Sequence, residues 1–150
     1  MILNELLTRQ NVITKIELKD GDKELPKELK VKIMRIRLAY NKVKKAFDED
    51  VKEFVEQIAT DEYKTLAQKT NRTEEEENRY NELNVKINAD YIEFVNQKGQ
   101  EEVNETFDDK ISEDEYAEIL DVNAGNDVDI NGTTVKAADL LEAFYDLFVA

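Results

Sequence analysis

Four residues near the C-terminus stand at the spacing of a divalent-cation loop. In "NDVDINGTTVKAADLLEAF", residues 126–144, Asp127, Asp129 and Asn131 fall at positions 1, 3 and 5 of a calcium-binding pattern, and Gly132 at position 6. Such a loop also wants an apolar residue at position 8 and a bidentate glutamate at position 12. Thr134 and Ala138 stand there, and Asp139 comes one residue late. Losing the bidentate ligand removes two oxygens and one charge, so a site at Asp127, Asp129 and Asn131 would at best be weak. The same letters spell a β-hairpin: Val128-Asp129-Ile130 alternates, Asn131-Gly132 is the favoured pair for a type I′ turn, and Thr133 to Val135 returns as a strand. The hairpin accounts for every residue. No metal and no cofactor are expected.

Other chemistries are limited by absent residue types. The chain has no cysteine, which excludes disulfides, thiolate metal sites and thiol catalysis. It has no histidine, the usual general base and transition-metal ligand. Ser112 is the one serine, so a Ser-His-Asp site is impossible. Glycine-rich phosphate loops are missing as well. What remains is carboxylate pairs or carboxylate-bound magnesium or manganese, and a chain with 35 acidic residues brings carboxylates together by chance. A non-enzyme without a small-molecule substrate is the expectation.

The elements around these residues read as mainly α. One domain fits 150 residues, and a single proline with four glycines leaves little material for a many-turned β fold. Residues 1–25 read as a short helix (Leu3, Leu6, Leu7) and then a strand, "VITKIEL" at 12–18, running into the turn Asp20-Gly21-Asp22. Residues 26–99 read as a long antiparallel αα-hairpin. Pro26 opens its first helix, where Leu29, Ile33, Ile36, Tyr40, Val43, Phe47, Val51, Phe54 and Ile58 recur at three and four residues. That helix runs from about 27 to 59, roughly 50 Å, and Tyr63 and Leu66 offer a continuation to about residue 69. Thr73 and Glu76 form a capping box for the second helix, which carries Tyr80, Leu83, Ile87, Tyr91 and Phe94 and stops at Gly99. Residues 100–150 read as an acidic loop, a short helix capped by Ser112 and Glu115, the small β-hairpin and a C-terminal amphipathic helix over 135–149. A single β element, built from residues near 12–18 and 127–135, is expected at one end of the hairpin. The N-terminus lacks a basic region ahead of its apolar residues, and no apolar run approaches 18 residues, so neither an ordinary secretion signal nor a membrane span is read.

Charge is segregated. Between residues 27 and 45, Lys27, Lys30, Lys32, Arg35, Arg37, Lys42, Lys44 and Lys45 face only Glu28, so this strip carries +7 and the rest of the chain −21, within a net charge of −14. One reading is a solvated helix face neutralised by the acidic second helix of the same hairpin. The other is a contact strip for an acidic protein surface, on another protein or on a second copy of this chain. Nucleic acid fits poorly, because the −21 elsewhere repels a polyanion. In the final helix Leu140, Leu141, Phe144 and Phe148 share a face that serves either as core or as the anchors of a helix docking into a partner's groove.

The stretch "KELPKELKVKIMRIRLAYNKVKKAFDED" resembles the central signature of a family of small tailed-phage proteins. There a Leu-Pro pair opens a long basic amphipathic helix that turns acidic, and a second helix and a short β-rich tail follow, similar to "VDINGTTVKAADLL" here. The resemblance spans residues 23–60 and 126–141. It implies an accessory or assembly component of a phage particle, capsid or tail associated, found in the virion or the host cytoplasm and partnered by a virion protein or by itself. It implies no catalytic or binding residues. The alternative is an acidic regulatory binder, inhibitor-like or antitoxin-like, that masks a basic partner.

Overall fold

The architecture follows from α2, a helix over Lys27–Ile58. In the computed structural model, which describes residues 1–104, 110–143, 145 and 149, Pro26 stands at its N-cap and accepts from the Lys30 amide at 3.0 Å. The first half of the helix buries Leu29, Ile33, Ile36 and Tyr40 on one face, whereas its second half only half-buries Val51, Phe54 and Ile58. The protein is therefore a packed base from which a thinner arm projects.

The arm is the expected antiparallel hairpin. The long helix does not run on to residue 69: Thr60 adopts an extended backbone, and its hydroxyl accepts from the Tyr63 amide, starting a separate α3 over Asp61–Gln68. Local capping chemistry wins here over a continuing apolar stripe. The capping box of Thr73 and Glu76 opens α4, Glu74–Gly99, which returns along α3 and the second half of α2. Phe54 stacks on Phe94 with centroids 4.1 Å apart, Tyr63 on Tyr80 at 5.5 Å, and Lys98 reaches Asp50 at 3.2 Å. Gly99 is the last helical residue, and a Cβ there would meet the end of the exposed Asn4 side chain.

The base gathers α1 (Leu3–Lys15), the first half of α2, α5 (Glu113–Asn123) and α6 (Ala137–Ala143). Leu6, Val12, Ile13, Ile16, Ile33, Ile36, Tyr40, Tyr116, Ile119, Val122 and Leu141 form one cluster. Val12 to Lys15 are helical, not the strand expected over 12–18. Leu6, Val12 and Ile13 of α1 turn into the core, Ile13 beside Ile33 and Ile36 of α2 and Val12 beside Val128, Ala137 and Leu141, and that burial overrides the β preference of valine and isoleucine. The Asp20-Gly21-Asp22 turn forms as expected with Gly21 at φ 60°, but it joins two-residue strands, β1 (Lys19–Asp20) and β2 (Lys23–Glu24). The second hairpin, β3 (Asp127–Ile130) with β4 (Thr133–Lys136), forms its own sheet, so the expected single β element is two separate ones. Positive φ at Asn131 (52°) and Gly132 (84°) matches the type I′ turn. Because β4 takes residues through Lys136, α6 starts at Ala137 rather than 135.

One polar residue closes the base. The Asn123 side chain, fully buried, accepts from the Glu17 amide at 2.9 Å and donates to the Glu17 carbonyl at 3.1 Å and the Ile119 carbonyl at 2.8 Å. It ties the link after α1 to the end of α5.

Candidate functional site

The eight basic residues that α2 carries between residues 27 and 45 separate into two groups. Lys30 pairs with Glu24, Lys32 with Glu115 at 3.1 Å and Lys44 with Asp48 at 2.9 Å. Arg37 donates to the carbonyls of Ile13 (2.9 Å) and Ile16, where the C-terminal end of α1 leaves acceptors unpaired. Burial pushes the Arg37 guanidinium below its ordinary value, with Glu17 opposing, and it stays a cation in this range. None of the eight pairs with α4 among the described residues. The acidic second helix ends opposite Asp50 and so does not run beside residues 27–45. The neutralisation that does occur comes from β2, α5 and α2 itself.

The other four, Lys27, Arg35, Lys42 and Lys45, are exposed and form no ion pair among the described residues. On a helix with 3.6 residues per turn they fall within an arc of about 100° that also holds Val31, Met34 and Leu38. These apolar side chains are 39%, 53% and 65% exposed, directly opposite the buried face of Leu29, Ile33, Ile36 and Tyr40. The helix thus carries two apolar stripes. The inward one makes the core. The outward one is about 10 Å long and lies within the four cations, which span about 27 Å of the helix from Lys27 to Lys45. Its signal was present in the spacing of 31, 34 and 38, but reading the heptad from Leu29 passes over it.

The remaining candidates resolve differently. Leu141 is buried in the core and Leu140 packs partly buried against it, so neither is free to anchor a partner; Phe144 and Phe148 lie outside the described residues. Asp127 and Asp129 sit on one extended strand, paired across to Lys136 and Thr134. Extended backbone sets residues i and i+2 about 6.6 Å apart, whereas a calcium loop curls its ligands to within about 2.6 Å of one ion. No group of three or more acidic, His or Cys side chains among the described residues is placed to hold a metal. The open cleft between α3 and α4 is lined by Glu62, Leu66, Lys69, Glu76 and Arg79. Arg79 holds the Glu62 carboxyl below its usual range, and Lys69, with the Thr73 amide, does the same to Glu76. General acid catalysis near neutral pH wants a carboxyl shifted the other way. No described helix is long and apolar enough to cross a membrane.

Compared with protein-family models, with curated proteins and with solved structures, the chain matches none.

Proposed function

We propose that this is a non-catalytic docking protein that engages an acidic protein surface through the outward face of α2, as an accessory or assembly component of a phage particle. One observation carries the reading: Val31, Met34 and Leu38 stay exposed inside a ring of four cations that the described residues leave without ion pairs. A merely solvated face has no use for large apolar side chains at helical spacing, and clusters of this kind mark interaction sites. The apolar stripe supplies burial, at about 25 cal/mol per Å² removed from water. Lys27, Arg35, Lys42 and Lys45 supply steering and register, which favour an acidic partner. The strongly negative remainder of the chain repels polyanionic nucleic acid. The phage setting rests on the resemblance of residues 23–60 and 126–141.

A photo-crosslinking amino acid placed at Leu38 tests this in the cells that make the protein. The expected result is one dominant adduct with an acidic phage structural protein, lost when Arg35, Lys42 and Lys45 are reversed to glutamate. Adducts spread over unrelated proteins, or a dominant adduct indifferent to charge reversal, would overturn it.

A further inference from the structure

The arm carries a second outward face, independent of the one on α2. Asn78, Asn81, Val85, Asn88, Ile92 and Asn96 of α4 are all exposed, Val85 at 69% and Ile92 at 57%. They lie on the side of the helix opposite Leu83, Ile87 and Phe94, which face the rest of the arm. None of the six is charged, in a chain that is 37% charged. Glu77, Glu82, Lys86 and Glu93 flank it on the same helix, and between them an uncharged stripe runs about 27 Å. From Asn78 through Asn81, Val85 and Asn88 to Ile92, spacings of three and four alternate as along a coiled-coil seam.

We infer that this seam pairs with the same seam on a second copy of the chain, giving a weak two-fold dimer. The side-chain chemistry selects that occupant. A carboxamide carries both an acceptor and two donors, so asparagine meeting asparagine across a two-fold axis satisfies itself, which carboxylate on carboxylate or ammonium on ammonium cannot do. A strongly acidic or basic partner finds no opposite charge along the stripe, whereas an uncharged face is complementary to its own copy. Polar residues at seam positions weaken association but fix register. The outward face of α2 cannot pair with itself in the same way, because its exposed cations would be brought together. Asn88 stands next to the middle of the seam, so it meets its counterpart whether the two helices run parallel or antiparallel. One helix pair buries much less than the roughly 1,600 Å² of a standard interface, which makes the dimer concentration-dependent. Each copy carries −14, so screening that repulsion strengthens the pairing.

Sedimentation velocity on the full chain, across a concentration series up to about 1 mM and at about 0.1 M and 1 M salt, tests this, since the Debye length falls from ~10 Å to ~3 Å. The expected result is a monomer–dimer equilibrium that tightens with salt. Val85→Glu and Ile92→Glu should each weaken it at least about tenfold, the worth of one buried apolar side chain. Both positions are exposed, so the melting temperature should not move. Association through the cationic α2 face would instead loosen with salt, which separates the two surfaces. The chain lacks cysteine, so Asn88→Cys should oxidise to a covalent dimer while Leu38→Cys does not. A chain that stays monomeric throughout the series, a dimer that loosens with salt or survives both glutamates, or a dimer whose Cys at 88 stays reduced would each overturn the inference.

Discussion

Replacing Asn123 with alanine removes four hydrogen bonds from a fully buried position. Two of its partners are easily satisfied otherwise: the Ile119 carbonyl keeps its helical amide, and the Asn126 side chain, which donates to Asn123 at 3.2 Å, is half-buried and reaches water. The other two, the amide and carbonyl of Glu17, lose the partner that held α1's exit against α5. An orphaned buried polar group costs about 1–3 kcal/mol. These two are only part-buried, so the lower half of that range applies and the sum is about 2–4 kcal/mol. At about 2–4 °C per kcal/mol for a chain of this size, the melting temperature should fall by roughly 4–16 °C. Urea unfolding should show a lower midpoint at unchanged slope, the signature of lost stability rather than altered compactness. Asn123→Asp sharpens the test. Its carboxylate would face the carbonyls of Glu17 and Ile119, so burial and acceptor crowding raise its folded pKa above the unfolded value of about 3.9. The protonated acid can donate to a carbonyl and the carboxylate cannot. Stability should therefore be nearest wild type below pH ~4 and be lost as pH rises through the raised folded pKa, so that the gap widens toward pH 7. An alanine variant within about 0.5 kcal/mol of wild type, or an aspartate variant whose gap is flat with pH, would refute the reasoning.

Two further outcomes follow from the geometry. Gly99→Ala should fail to gain the roughly 1 kcal/mol that alanine normally brings to a helix, because its Cβ meets the Asn4 side chain; in an Asn4→Ala background the gain should appear, as chemical unfolding of the four chains in the cycle would show. Glu115 has its pKa lowered, first by the Ser112 amide and then by Lys32, so its contribution is present above the unfolded value near pH ~4.3 and is lost as pH falls through the depressed one. Glu115→Gln should accordingly flatten the acid limb of melting temperature against pH between about 5 and 3, and an unchanged limb would remove Glu115 from the account.

Much of the architecture is written locally. The three-and-four spacing from Leu29 to Ile58, Pro26 at its head, the capping boxes of Thr73 with Glu76 and Ser112 with Glu115, and the Asn131-Gly132 turn all act within a few residues, so they are legible in the sequence and the structure contains them. The same letters show that the sequence holds no cysteine and no histidine. Long-range burial decides the rest. Val12 and Ile13 have strand-forming side chains, and only α2 beside Ile13 and the β3 and α6 residues beside Val12 make a helix the better way to hide them. Periodicity tells which residues share a face but not what covers that face. Val31, Met34 and Leu38 recur as regularly as Leu29, Ile33 and Ile36, yet one set is core and the other meets solvent, because α1 and α5 pack on a single side of α2. In the same way the eight cations of residues 27–45 look equivalent along the chain. Which of them are held by Glu24, Glu115, Asp48 and the end of α1, and which are left exposed, is set by where other segments come to rest against the helix.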